Sequence, residues 1–149
     1  FLEVKCKNNK GKTIKKRMKV DKIPNTLSND QKQYVSEIMG YSIPVLSKQW
    51  INFNRITLVH KKLKERLTID VNLNYCDDNT TGDFSKIIIA EVKQERMSRS
   101  SDFIRIAKDL KIYPMRLSKY CITTMQMDDS VKKNRFKEKQ LFINKILQE

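Results

Sequence analysis

The fold of this chain is decided by residues 65–75, which read ERLTIDVNLNY. Every second position of this segment is apolar, namely Leu67, Ile69, Val71 and Leu73. Strict alternation with a period of two predicts a β-strand that turns one face toward a core and the other toward polar surroundings. We therefore expect a β-sheet that contains this strand.

The segments on either side of this strand predict more of the sheet. Further strands are expected at residues 1–7, 12–20, 49–60, 86–94 and 117–122. The segment 49–60 is rich in aromatic and β-branched side chains, which favour extended structure. Turn residues at 8–11 are expected to join the first two strands as a hairpin, and residues 76–83 are expected to form a loop.

Helical periodicity predicts three helices in addition to the strands. The first begins at residues 28–30 and ends near Gly40, and the last is rich in lysine and runs from Asp128 to the end. The second begins at Ser100 or Ser101, and its apolar stripe should pack on the outside of the sheet. That stripe consists of Phe103, Ile104, Ala107 and Leu110. Antiparallel strands flanked by helices make an α+β fold.

Length and charge limit the possible functions. The chain has 149 residues, which predicts a single domain over residues 1–149, and it carries 31 Lys and Arg against 17 Asp and Glu. The formal net charge of +14 exceeds what solubility requires and predicts a negatively charged partner. Charge alone does not distinguish nucleic acid, an anionic membrane and a phosphate-rich small molecule.

Cysteine usage and hydropathy indicate where the protein acts. Cys6, Cys76 and Cys121 have neither the paired spacing of a structural zinc site nor the density of a disulfide scaffold. We therefore expect a cytoplasmic protein, associated with a membrane only through a partner or an additional segment. The longest apolar run, residues 87–90, is far shorter than the roughly 20 residues that span a bilayer. No membrane span is expected within this chain.

Charged residues, mostly basic, recur on the polar faces of successive predicted strands. These positions are Glu3, Lys5, Lys15, Arg17, Arg55, Arg66, Asp70, Glu91, Lys93 and Lys119. If the faces converge, the cations form a cavity that holds a chain of phosphates, and a carboxylate within it could bind a divalent metal. The alternative is the solvated side of a sheet. Ile87 and Ile89 share the parity of Glu91 and Lys93, which favours a site.

Six short motifs occur in an order that resembles a known family. They are Leu2-Glu3-Val4-Lys5, Thr13-Ile14-Lys15-Lys16-Arg17, Asn54-Arg55, Arg66-Leu67-Thr68-Ile69-Asp70-Val71-Asn72, Ala90-Glu91-Val92-Lys93, and Ile112-Tyr113-Pro114 leading to Ser118-Lys119-Tyr120-Cys121. This order is similar to that of the vacuolar transporter chaperone domain, a family of polyphosphate polymerases among the CYTH-like triphosphate tunnel metalloenzymes. The resemblance implies an antiparallel β-barrel tunnel, bound Mn²⁺ or Mg²⁺, and transfer of the terminal phosphoryl group of ATP onto inorganic polyphosphate.

The resemblance also implies roles for individual residues, carried over position by position. It makes Arg55, Arg66 and Lys119 the catalytic phosphate ligands and Glu91 the metal ligand. Substrate binding in the tunnel is implied for Lys5, Lys15, Arg17, Lys93 and Ser118. The family's fold has N-terminal strands that would precede Phe1, so we expect this chain to correspond to the C-terminal portion of such a domain.

Two other functions remain open on the sequence. Asp83, Glu91 and Lys93 imitate the pattern of metal-dependent nucleases, in which two carboxylates bind a metal and a lysine helps activate water. Alternatively, the lysine-rich C-terminal helix could make the chain a non-catalytic module that binds polyanions or nucleic acid. Because the chain shows no signature of an RNA-binding sheet or a helix-turn-helix, nucleic acid is the less favoured partner.

Overall fold

The computed structural model of this chain describes residues 1–10, 12–95 and 101–148. The chain divides into two compact units, Phe1–Lys48 and Gln49–Glu149. The single domain over residues 1–149 stays a prediction. No helix within the described ranges is long and apolar enough to cross a membrane.

The first unit contains the predicted hairpin. Its strands β1 (Leu2–Lys7) and β2 (Thr13–Met18) pair antiparallel and in register. Lys5 therefore stands directly opposite Lys15. This hairpin prediction is confirmed.

The first unit also contains the first predicted helix, α1 (Asn29–Met39). Ser28 and Gln31 form a capping box at its beginning, in which each side chain accepts a hydrogen bond from the other's backbone amide. The helix ends at Gly40, whose φ of 78° is readily adopted only by glycine. The helix therefore begins and ends at the residues that the sequence predicted, Ser28 and Gly40.

The second unit is built on a four-stranded antiparallel sheet. Its central strand, β4 (Glu65–Cys76), is the alternating segment that predicted the sheet. Strand β3 (Trp50–Val59) pairs along one side, and β5 (Thr81–Phe84) and β6 (Ile89–Gln94) share the other side. The α+β class with antiparallel sheets is confirmed. Among the described strands β3 and β6 pair only with β4, and closure into a barrel stays a prediction.

The helices of the second unit follow the sheet in the chain. They are α2 (Asp102–Asp109), α3 (Lys119–Met127) and α4 (Lys137–Gln148), and a single 3-10 turn (Asn134–Phe136) precedes the last of them. Two of these helices, α3 and α4, contribute side chains to the core beside the sheet.

A β-bulge in β4 decides which side chains face that core. The pairing with β3 shifts register beside Asn54, and Asn72 has a positive φ of 55°. Asparagine adopts this left-handed conformation more readily than most residues. The extra residue moves the following side chains to the opposite face, so Leu73 and Tyr75 turn to the same side as Asp70. One face of the sheet therefore changes from polar to apolar along β4.

The core covers the apolar part of this sheet face. Its buried side chains are Leu73, Tyr75, Phe84, Ile87, Ile122, Met125 and Ile143, so α3 and α4 are the covering helices. The ring of Tyr75 passes so close to Gly82 that a Cβ there would lie 2.2 Å from it. Only glycine fits at that position without displacing the ring.

Several sequence predictions are corrected by these elements. The strand predicted at 117–122 is wrong, because Ser118 caps a helix that buries Ile122 and Met125 three residues apart. The last helix begins at Lys137 and not at Asp128. The predicted loop at 76–83 includes the beginning of β5, and β6 begins three residues later than the strand predicted at 86–94.

The prediction for α2 is confirmed in part. Ser101 is its N-cap, and Ser100 lies outside the described residues. The apolar stripe packs only loosely, because no residue of α2 is fully buried. Leu110 is 66% exposed, so its predicted packing contact is wrong.

Candidate functional site

Several predicted site residues lie on one face of the four-stranded sheet. Residues directly opposite each other in an antiparallel pair point to the same face. Arg55 stands opposite Asp70, and Arg66 stands opposite Lys93. Glu91 shares the face of Lys93 because it lies two residues away on β6. All five residues therefore lie on the same face of the sheet. They occupy its polar part, and the apolar part of that face packs against the core.

Asp70 is the centre of an ion-pair cluster on this face. Its carboxylate accepts two hydrogen bonds from Arg55, from Nε at 2.6 Å and from Nη2 at 2.8 Å. Nζ of Lys119 lies 2.5 Å from Oδ2 of the same carboxylate. Asp70 is 2% exposed. We call Asp70, Arg55 and Lys119 the sheet cluster, which carries a net charge of +1.

Both cations of the sheet cluster also contact an aromatic ring. Cζ of Arg55 lies 5.0 Å and Nζ of Lys119 lies 4.7 Å from the centroid of Phe53. These distances are typical of cation–π attraction. Phe53 packs against the buried core, so the ring is a fixed surface that supports both cations.

These contacts favour the charged forms of Asp70 and Arg55. Arg55, and to a smaller extent Lys119, lower the pKa of the Asp70 carboxyl from 3.8 to about 2, although burial acts in the opposite direction. The hydrogen bond from Asp70 raises the pKa of Arg55 further above its ordinary value. Asp70 and Arg55 are therefore both charged at physiological pH.

The other sheet residues lie in a more open position. Arg66, Glu91 and Lys93 are all exposed, and Nζ of Lys93 lies 3.3 Å from a carboxylate oxygen of Glu91. An adjoining open groove of about 400 Å³ is lined by Val59, Leu63, Arg66 and Lys93 among others. An exposed ion pair of this kind is weak, so these groups can exchange it for an outside ligand.

The start of α3 also reaches the sheet cluster. Ser118 is its N-cap, and Oγ of Ser118 accepts a hydrogen bond from the backbone amide of Cys121. Lys119 is the first residue of the helix. The predicted phosphate ligand Lys119 therefore comes from a helix and not from a strand. Helix beginnings favour negative charge, which is compatible with an anion beside Lys119.

Lys5, Lys15 and Arg17 belong to the first unit. Glu3 forms ion pairs with Lys5, at 2.9 Å, and with Arg17, and we call these three residues the hairpin cluster. Hydrogen bonds from Lys5 and then Arg17 lower the pKa of Glu3 from 4.5 to about 2. Lys15 stands opposite Lys5 and forms no ion pair among the described residues. Convergence of these cations with those of the sheet on one cavity stays a prediction.

Glu91 is the residue predicted to hold a metal. Its carboxylate is 54% exposed and ion-pairs with Lys93 through one oxygen, so acceptor capacity remains for a cation. Within residues 1–10, 12–95 and 101–148 there is no group of three or more His, Cys, Asp and Glu able to hold a metal. One carboxylate is enough where phosphates supply further oxygens, as is usual for Mg²⁺. The donor set therefore fits a metal that is shared with a phosphate ligand.

Asp83 lies far from this carboxylate. It stands opposite Asn74 on β4, and its neighbour Phe84 faces the core, so Asp83 points to the other face of the sheet. Glu91 stands opposite Thr68, six positions from Asn74, which corresponds to roughly 20 Å along the strand. The structure does not bring the two carboxylates of the nuclease pattern together.

Sequence reasoning did not assign a role to Asp70 or to Phe53. The available signal was parity, because Asp70 lies an even number of residues from Arg66 on β4, and Phe53 lies two residues from Arg55 on β3. Parity shows which face a residue occupies but not which partner it contacts. The contact with Lys119 depends on a helix that the sequence predicted as a strand.

Comparisons of the chain with protein-family models, with curated proteins and with solved structures find no match.

Proposed function

We propose that the chain is a polyphosphate polymerase-like domain, similar to the vacuolar transporter chaperone family, which transfers the terminal phosphoryl group of ATP onto a polyphosphate chain. The observation that carries the proposal is that several cations and an exposed carboxylate lie on a single sheet face. Arg55, Arg66 and Lys119 supply two guanidinium groups and an ammonium group, and Glu91 supplies the carboxylate. Further strands closing the sheet into a tunnel are part of the proposal.

The cations suit a chain of phosphates in number and kind. Arginine offers a planar set of donors that binds two phosphate oxygens at once, whereas lysine acts as a point charge. Arg55 and Lys119 would bind the phosphate that is transferred, and the exposed Arg66 and Lys93 would bind neighbouring phosphates along the face. The open groove beside Arg66 leaves room for a chain to enter.

The reaction itself needs no nucleophile from the protein. A terminal oxygen of the polyphosphate chain attacks the γ-phosphorus of ATP, and the bond from this phosphorus to the bridging oxygen of the β-phosphate breaks. That oxygen leaves with the electron pair as part of ADP, and the chain grows by one phosphate. Catalysis of this kind is mostly positioning and stabilisation of charge on the phosphoryl oxygens. The fixed arginine and lysine of the sheet cluster are suited to both tasks.

Glu91 would hold a divalent cation, Mn²⁺ or Mg²⁺, beside these phosphates. When bound, the metal would neutralise charge on phosphate oxygens. The carboxylate of Glu91 is exposed and only weakly paired, in contrast to Asp70, whose oxygens are both occupied by cations. Glu91 is therefore the better metal ligand of the two.

The variant Glu91→Gln tests this assignment. It removes a hard-metal ligand without removing a phosphate-binding cation. In a protein that supplies the further strands of the tunnel, synthesis of polyphosphate from ATP with Mn²⁺ or Mg²⁺ should therefore fall at least about a hundredfold. Binding of tripolyphosphate without metal, measured by calorimetry, should change less than about twofold. Glu95→Gln is the matched control, since Glu95 is an exposed carboxylate just beyond the end of β6.

The possible results separate the functions. Full synthetic activity of Glu91→Gln would contradict the role of Glu91. A protein that supplies the further strands of the tunnel and binds tripolyphosphate, but makes no polyphosphate, would instead indicate a non-catalytic binding module. Metal-dependent nicking of plasmid DNA, with no polyphosphate synthesis, would favour the nuclease.

A further inference from the structure

We propose that Asp70 is a positioning residue, which fixes Arg55 and Lys119 in the orientation that receives a phosphate group. The inference rests on the proposed function, because it concerns how the same sheet face binds its ligand. It assigns a role to a negatively charged side chain at the centre of a site for anions. A carboxylate in that position needs a physical reason.

The geometry of the Arg55 guanidinium supplies the first part of the argument. The group has five N–H donors, and the edge formed by Nε and Nη2 binds Asp70 at 2.6 and 2.8 Å. Of the three N–H groups that remain, one on Nη1 and one on Nη2 lie side by side at the end of the guanidinium plane. They form a second planar edge of the kind that binds two phosphate oxygens. Asp70 therefore determines where this free edge points.

The surroundings of Asp70 supply the second part. Asp70 is 2% exposed and lies in the middle of the 12-residue central strand, so its carboxylate has little freedom to move. The ring of Phe53 supports the guanidinium and the ammonium from one side. A long side chain that is held at two points loses little further conformational entropy when it binds a ligand. By contrast, an arginine without such an anchor would have to be ordered by the phosphate itself.

If Asp70 acted only through its charge, it would weaken the binding of a phosphate and not favour it. Its negative charge lowers the positive potential of the face, so its removal should strengthen the binding of an anion. Positioning predicts that its removal weakens binding, because the cations lose their fixed orientation. The sign of the change therefore distinguishes the two accounts.

The experiment measures the binding of tripolyphosphate, without metal, to the parent chain and to Asp70→Asn by calorimetry. Positioning predicts at least about tenfold weaker binding for Asp70→Asn, which corresponds to about 1.4 kcal/mol. Asp70→Glu keeps the charge but displaces the carboxylate, and it should weaken binding severalfold. Asp78→Asn is the matched control, since Asp78 is an exposed loop residue; its binding should equal that of the parent chain.

A second background separates positioning from a general loss of structure. In Arg55→Lys the planar edge is absent, so adding Asp70→Asn should cost much less affinity than it does in the parent. Damage to packing would cost the same affinity in both backgrounds. If Asp70→Asn does not fold, the binding measured for Asp70→Glu tests the inference instead.

Three results would overturn the inference. Tighter or unchanged binding by Asp70→Asn would show that Asp70 acts only as a counter-charge, while the proposed function would stand. Parent affinity in Asp70→Glu would show that charge, and not geometry, is what matters. A parent chain that does not bind tripolyphosphate would overturn the proposed function, and this inference with it.

Discussion

Two carboxylates of this chain each bind two cations, but they do so in different surroundings. The hairpin cluster lies on an open two-stranded ribbon, whereas the sheet cluster lies beside a buried core. The side chain of Glu3 is 20% exposed and that of Asp70 is 3% exposed. Both carboxyl groups nevertheless have a pKa of about 2. The pKa alone therefore does not distinguish a flexible surface pair from a fixed site.

The difference lies in what holds the cations. The two cations of the hairpin cluster are each 59% exposed. In the sheet cluster Arg55 is 42% and Lys119 is 21% exposed, and both lie over the ring of Phe53. Exposed ion pairs contribute little because water and salt screen them and long side chains remain mobile. We therefore expect the hairpin to attract polyanions loosely and the sheet to position a single phosphate group.

The largest expected difference between the clusters is in stability. Arg55→Ala leaves the buried Asp70 with one partner, so the free energy of unfolding should fall by about 2–3 kcal/mol, less than the full cost of breaking a buried pair. Arg17→Ala, the matched change in the hairpin cluster, should have no measurable effect. Urea denaturation followed by circular dichroism checks both variants. Equal losses would remove the distinction between the two clusters.

The response to salt should be the next largest difference. At low salt both carboxyl groups should titrate near pH 2 in ¹³C NMR spectra. In 1 M salt the midpoint of Glu3 should return toward 4.5, because exposed pairs are screened, while that of Asp70 should remain near 2. A midpoint for Asp70 that rises as much as that of Glu3 would show that its pair is equally open to solvent.

The same titration has a consequence for stability. The pKa of Asp70 is lower in the folded chain than its ordinary value, so its contribution is present above about pH 4 and is lost as the pH falls toward 2. That contribution is roughly 2 kcal/mol. Asp70→Asn should therefore lose less stability between pH 4 and pH 2 than the parent chain does.

The smallest expected effect concerns the hairpin. Lys15 stands opposite Lys5, and like charges in this position repel each other, so Lys15→Ala should stabilise the fold by a few tenths of a kcal/mol. It should weaken polyphosphate binding by less than about threefold. Lys16→Ala is the control, because Lys16 stands opposite Val4 on the other face of the hairpin and should not stabilise the fold. A larger loss of binding on Lys15→Ala would give the hairpin a more specific role.

Local sequence signals were sufficient to place two elements, although the alternation was wrong about which face of β4 carries the core, because Leu67, Ile69 and Val71 lie on the other face from Leu73. The alternation around Ile69 predicted the central strand, and the cap at Ser28 with Gly40 predicted the first helix. Both signals are local, because they depend only on residues within the element. The same parity placed Arg55 and Arg66 on strand faces without knowledge of the rest of the fold.

Periodicity was insufficient where the structure depends on distant contacts. The segment beginning at Ser118 has β-branched and aromatic residues, yet it is helical because Ile122 and Met125 are buried against the sheet. The bulge at Asn72 reverses the parity of the strand, and a pattern of period two cannot reveal where this happens. The partners of Asp70 depend on both features, so its role emerges only from the structure.

The central claim is that the cations of the sheet face bind the phosphate ligand, and side-chain NMR tests it most directly. The chain, labelled with ¹⁵N, would be titrated with tripolyphosphate while the Nε–H signals of arginine and the backbone amides at the start of α3 are followed. The account predicts that Arg55, Arg66 and the amide of Lys119 shift together and saturate at one ligand concentration. Shifts confined to the lysine-rich helix α4, with the signals of Arg55 and Arg66 unchanged, would contradict it.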